Sequence, residues 1–94
     1  MIPKVSWMVA ADTTILWWLS EHRYRFAVTS AVVATNVGLS QTHANRRMNI
    51  LAAGGLVEPI PDKNGYYRIS DLGERYIIGD TTEEELEALD PEMD

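Results

Sequence analysis

The tripeptide Gly38-Leu39-Ser40 constrains this chain more than any other feature. A glycine able to take the left-handed conformation ends one helix, a leucine turns inward, and a serine caps the next helix. Two short helices then meet across three residues. On the upstream side Thr29 is placed to cap a helix running through Val37, with Ala31, Val32, Val33 and Val37 available for packing. On the downstream side a helix runs from Gln41 to about Ala53. In it Ala44, Met48 and Leu51 form a narrow apolar stripe, while Thr42, Asn45, Arg46 and Asn49 lie opposite. That outer face carries amides and arginine and not a single acid.

The flanking segments supply the rest of a small domain. Asp12 precedes the periodic run Ile15, Leu16, Trp18, Leu19, which predicts a helix over 12–22 with Asp12 as its N-cap and Trp17 pointing away from the core. Phe26 and Val28 flank Ala27 in a short extended piece. After Gly54-Gly55 stops the helix, residues 56–60 and 66–69 read as strands around the turn Pro61-Asp62-Lys63-Asn64-Gly65. Pro59 lacks an amide donor and belongs on the outer edge of that hairpin. Of Tyr66 and Tyr67, which alternate, one should pack inward and one stay at the surface. Ser70 caps a helix over 71–78, Gly79 ends it, and Thr82 with Glu85 fits a capping box for one more short helix up to Leu89. The predicted fold is α+β and mostly α. It is a winged helix-turn-helix with a three-helix core, a two-stranded wing hairpin and a C-terminal helix.

Charge divides the chain in two. The net charge is −6, yet residues 80–94 hold eight of the fourteen acids and no base, which leaves residues 1–79 with eight bases against six acids. The expected organisation is a domain over 1–79 and an acidic tail over 80–94. That tail reads either as solvated surface or as a brake that repels phosphate or closes over the basic face. Six of the eight bases are arginine, the better residue for bidentate recognition of guanine or phosphate. With no cysteine there is no disulfide or thiolate metal site, and His22 and His43 stand too far apart in sequence to suggest a metal. The uncharged stretch that begins at Phe26 is broken by Thr, Ser, Asn and Gly and lacks the apolarity of a membrane span. No secretory signal is visible, so the expected location is the cytoplasm.

The combination and order of several segments carry a resemblance. Trp7-Met8, Asp12-x-x-Ile15-Leu16-x-x-Leu19, Leu39-Ser40-x-x-x-Ala44-x-x-Arg47-Met48-x-x-Leu51, Gly55-Leu56-Val57-Glu58 and Gly65-Tyr66-Tyr67-Arg68-Ile69-x-Asp71-Leu72-Gly73 run in this order. Over residues 5–80 the chain resembles the small haloarchaeal winged-helix regulators of the halophage phi-H repressor type. The resemblance implies a DNA-binding transcriptional regulator working in a cytoplasm of very high salt. There the screening length is only about 3 Å.

On the residues themselves, the helix at 41–53 is the candidate recognition helix. Gln41 and Asn45 can pair bidentately with adenine, Arg46 with guanine, and Thr42 can touch a thymine methyl or a phosphate; Asn49 completes the base-reading set. Ser40, His43, Lys63, Asn64 and Arg68 are candidates for the DNA backbone, and the wing tip also reaches toward the minor groove. Arg47 flanks the apolar stripe and is placed for the DNA backbone or for a carboxylate rather than for a base. Trp17 and Ile78 have no evident core role and suggest a homodimer interface between the first helix and the helix at 71–78. The competing reading packs Trp17 under the N-terminal segment around Trp7.

No catalytic constellation is present: the serines read as caps, and Gly54-Gly55 is not followed by the Lys-Ser/Thr of a phosphate loop. Neither a cofactor nor a small-molecule ligand is evident. The expected partner is double-stranded DNA, and the expected role is a repressor rather than an activator, since no separate activation or ligand domain fits in 94 residues. A protein-interaction winged helix that does not bind DNA is the alternative.

Overall fold

Capping chemistry sets most of the element boundaries. The computed structural model describes residues 5–21 and 27–89. Its order is α1 (Ala10–Glu21), β1 (Val28–Thr29), α2 (Ser30–Val37), α3 (Gln41–Ala53), β2 (Val57–Pro59), β3 (Tyr66–Ile69), α4 (Asp71–Ile77) and α5 (Glu83–Leu89). Thr29 Oγ1 accepts from the Val32 amide at 3.3 Å and opens α2, and Gly38 closes it in the left-handed region at φ 75°. Ser40 Oγ accepts from the His43 amide at 3.1 Å and opens α3, three residues after α2 has ended. Ser70 Oγ does the same for α4 through the Gly73 amide at 2.9 Å.

The first helix departs from the sequence reading. It begins at Ala10, so Asp12 is its third residue and not its N-cap. The Asp12 carboxylate reaches back to the Val9 amide at 3.0 Å, which is the acidic half of a capping box, and the side chain is fully buried. Ile15, Leu16 and Leu19 are buried as their spacing predicts, Trp18 is half-buried against them, and Trp17 faces out. His22, at the predicted end of this helix, and Phe26, in the predicted extended piece, lie outside the described residues.

The sheet has three strands, in the order β1-β3-β2, where a two-stranded hairpin was expected. Val28 and Thr29 pair antiparallel with Tyr67 and Tyr66, covering the edge of β3 that a bare hairpin would leave open. Strand β2 is the outer edge. The bonds that bracket it fall on Leu56, which accepts from Ser70, and Ile60, which donates to Tyr66, so by alternation the missing amide of Pro59 faces outward. Tyr67 packs on the core and Tyr66 is exposed, as alternation requires.

One core collects side chains from every helix. Ile15, Leu16 and Leu19 meet Val33 of α2, Met48 and Leu51 of α3, Leu56, Val57 and Ile69 of the wing, and Tyr76 and Ile77 of α4. Val32 takes no part in it: it lies one position off Val33, about 100° around α2, and is exposed. Helix α4 approaches the base of the wing so closely that a Cβ at Gly73 would collide with the Leu56 carbonyl and the Ile69 side chain. That approach explains a glycine in the middle of a short helix, where it otherwise weakens the structure.

Residues 80–89 join the packed unit. Thr82 and Glu85 form the reciprocal capping box, with Glu85 Oε1 accepting from the Thr82 amide at 2.9 Å and Thr82 Oγ1 from the Glu85 amide at 3.1 Å. Leu89 is buried, and its carbonyl accepts from Trp7 Nε1 at 2.7 Å. Arg75 of α4 holds Glu85 through two bonds, at 2.6 and 2.5 Å, and reaches Asp71 at 3.0 Å. The Arg75 hydrogen bonds, followed by the Thr82 amide, hold the Glu85 carboxyl down to about 2 from an ordinary 4.5. A carboxyl whose pKa falls on folding stabilises the fold fully above its unfolded value. Its contribution is then lost as pH falls through the folded one. Acidification from about 4.5 toward about 2 should therefore loosen α5, read as loss of exchange protection at the Trp7 indole N–H. In Glu85→Gln, α5 should already be loosened at neutral pH. Identical protection curves for parent and variant would remove Glu85 as the clasp.

Candidate nucleic-acid interface

Helix α3 is fixed along three lines. Its apolar stripe, Ala44, Met48 and Leu51, is fully buried. Along one flank Arg47 donates from Nε to Asp12 Oδ1 at 2.8 Å and from Nη2 to Asp12 Oδ2 at 2.6 Å, and Nη2 also reaches the Trp7 carbonyl at 3.3 Å. The Asp12 side chain has no exposure and that of Arg47 only 11%, so this bidentate pair is largely dry. The bonds to Asp12 raise the Arg47 pKa further. Of the two partners open to Arg47 in the sequence, the structure supplies the carboxylate.

The other flank touches α2 and the sheet. Ser30 Oγ donates to Asn45 Oδ1 at 3.2 Å, and Tyr67 Oη donates to Asn49 Oδ1 at 2.7 Å. Between these flanks the remaining face is open: Gln41, Thr42, His43, Asn45, Arg46 and Asn49 are all exposed. Ser40, also exposed, keeps its hydroxyl hydrogen free of the capping bond, in which it only accepts. The helix thus presents a single arginine, three amides, an imidazole and a hydroxyl outward from a backbone held on both sides.

The wing is a separate element. Its turn closes through Lys63 N to the Ile60 carbonyl at 3.2 Å and Tyr66 N to the Lys63 carbonyl at 3.1 Å, with Gly65 in the left-handed region. Lys63 and Asn64 are exposed at its tip, and Lys63 Nζ rests 5.5 Å from the centre of the Tyr66 ring, a cation–π contact. Arg68 lies across the ladder from Glu58 and donates to it at 2.9 Å. Both side chains are about half exposed. An exposed pair of this kind holds by at most about 1 kcal/mol, so Arg68 can exchange its partner where Arg47 cannot.

Trp17 projects from α1 and Ile78 from the C-cap of α4, two helices that pack together, and they are 44% and 66% exposed. Trp7 is engaged elsewhere, with its ring against Gly54 at the end of α3 and its indole bonded to Leu89. Three residues that support the face escaped the sequence reading in that role: Asp12, Ser30 and Tyr67. Only the position of Arg47 beside an apolar stripe hinted at the first.

A three-helix core, a glycine-serine turn between α2 and α3 and a three-stranded wing lie behind this face. The family model for the winged helix-turn-helix phage repressor matches residues 1–89. The chain belongs to that family. A repressor protein of Halobacterium phage phiH is 34% identical over 86 residues, which cover 89% of this chain and 94% of the relative. No solved structure matches. The span matched by the phage repressor family runs to the end of α5.

The Arg47–Asp12 pair yields a stability prediction. Removing one member of a buried ion pair leaves the other charge uncompensated, so Asp12→Ala should destabilise the domain by about 3–5 kcal/mol in denaturant unfolding. Replacing both by apolar side chains should cost far less. A loss below about 1 kcal/mol in the single variant would place the pair with ordinary surface contacts.

Proposed function

We propose that this chain is a sequence-specific repressor that binds double-stranded DNA as a homodimer in the cytoplasm and catalyses no reaction. The observation that carries this reading is the exposed, acid-free face of α3, anchored on both flanks, in a member of a phage repressor family. A helix of 13 residues fits the major groove, where the outward residues meet base edges. In this arrangement Arg46 takes guanine O6 and N7, Gln41, Asn45 and Asn49 read neighbouring bases, and Thr42 contacts a thymine methyl or a phosphate. Ser40 and His43 lie at the helix start, where free amides and a hydroxyl favour a phosphate. Lys63, Asn64 and Arg68 extend the backbone contacts along the wing. Arg47 acts through Asp12 and is left out of the DNA contacts.

Trp17 on α1 and Ile78 at the end of α4 are exposed apolar residues offered to a second copy, so that two α3 helices address successive half-sites. The relative's host is a halobacterium, and a high-salt cytoplasm suits this chemistry. Screening there suppresses both the repulsion of DNA by the acidic segment and the affinity gained by counterion release. Hydrogen bonds from α3 and dimerisation then carry more of the binding.

Selection from random duplexes at high salt tests the reading. A palindromic consensus is expected. Against it Arg46→Ala should lose roughly 1–3 kcal/mol and relax one base position, whereas Lys63→Ala should weaken all sequences alike. If Arg46→Ala binds the selected and a scrambled duplex as the parent does, Arg46 reads no base. If the parent selects nothing, the protein-interaction alternative takes over. Light scattering of Trp17→Glu should show a monomer, and an unchanged mass would take Trp17 out of the interface.

A further inference from the structure

Asn49 is exposed on the outer face of α3, but its side chain is not free to choose its orientation. A carboxamide turned over about its last bond exchanges an acceptor for a donor, and one surrounded only by water has little preference. An asparagine that is free to turn can therefore present either edge to a base. Tyr67 removes that freedom. Its Oη lies 2.7 Å from Asn49 Oδ1, a separation typical of O–H···O and shorter than the usual N–H···O of about 2.9–3.0 Å. A phenol is also a better donor than acceptor, because the ring withdraws its lone pair. The Asn49 carbonyl oxygen is therefore the atom engaged by β3, and Nδ2 is the group left for a base.

The tyrosine is itself held. Its ring packs on the core, and its backbone lies in the middle strand, opposite Val28 on one side and Pro59 on the other. Strand β1 passes directly into Ser30, whose buried hydroxyl makes the longer, 3.2 Å bond to Asn45 Oδ1 one helical turn before Asn49. Both asparagines consequently have the carbonyl oxygen engaged by the framework behind them.

We propose that Tyr67 is a specificity-determining positioning residue: it fixes Asn49 as a hydrogen-bond donor, so that this position of α3 reads an acceptor that adenine lacks, guanine O6 or thymine O4, in place of the donor–acceptor edge of adenine. The inference rests on the proposal that α3 enters the major groove, where these acceptors lie. It gives the wing strand a part in base selection without contact with a base. It also sets this asparagine apart from the bidentate adenine pairing open to a free one.

The test compares selections from random duplexes for the parent, Tyr67→Phe, Asn49→Ala and the double variant at high salt. Phenylalanine retains the packed ring and removes only the hydroxyl. Tyr67→Phe should relax the preference at the base pair that Asn49→Ala relaxes, by roughly three- to tenfold, the worth of one side-chain hydrogen bond. Adenine should become acceptable there, every other position should stay unchanged, and the double variant should match Asn49→Ala. Asn49→Asp provides a second route, since its carboxylate still accepts from Tyr67 but has no donor to offer. It should lose the acceptor preference at the same pair. A Tyr67→Phe selection identical to the parent's, or a uniform loss across all sequences, overturns the inference and leaves the DNA-binding reading standing. So does an Asn49→Asp selection that keeps the parent's preference. A parent that selects no sequence overturns both.

Discussion

The buried pair of Arg47 and Asp12 fixes the one relationship on which the rest of the molecule depends, the attitude of α3 to α1. Asp12 accepts both guanidinium bonds while holding the Val9 amide at the start of its own helix. A single carboxylate thus sets where α1 begins and where α3 lies. Van der Waals packing of Ala44, Met48 and Leu51 is compatible with small rolls of a helix, whereas a bidentate fork tolerates little. Because the pair is nearly dry, dissolved ions screen it far less than they screen the exposed Arg68–Glu58 pair.

The same reasoning alters the meaning of the acidic segment. By sequence, residues 80–94 stood apart from a mildly basic body as solvated surface or as a brake on phosphate binding. Through Leu89 the chain is folded back, with an apolar residue in the core and an indole bonded to its last described carbonyl. Glu85 has its cation in Arg75 of α4 and not in the arginine displayed on α3. Glu83, Glu84 and Glu87 stay exposed, a charged surface on a helix whose other side is fixed. Among the described residues the acidic segment is therefore a structural helix with a solvated face.

Much of the fold was legible because its signals are local. Thr29, Gly38, Ser40, Ser70 and the Thr82–Glu85 box each act within a few residues of themselves, and each caps the helix expected of it. The stripe on α3 and the inward face of α1 follow from helical periodicity alone. Where two local readings competed, sequence was a poor judge. Asp12 fits an N-cap as well as a third-position acid, and the choice turned on Arg47, 35 residues away. The short extended piece that ends at Val28 was legible, but its pairing with the open edge of β3, which makes a third strand of the sheet, was not.

The candidate site divides along the same line. The sequence by itself determined which chemistry faces outward: an acid-free helix face with Arg46, three amides and a hydroxyl, placed after a glycine-serine turn. Periodicity and capping suffice for that, since they depend on backbone geometry that every helix shares. Only the tertiary structure decided which polar side chains remain available and in what orientation. Arg47 is withdrawn to Asp12, Asn49 accepts from Tyr67, and Arg68 is shared with Glu58. These partners lie 35, 18 and 10 residues away, and which of them meet depends on how the core packs. The same donor, lone pair or charge can be satisfied by water until that packing excludes it.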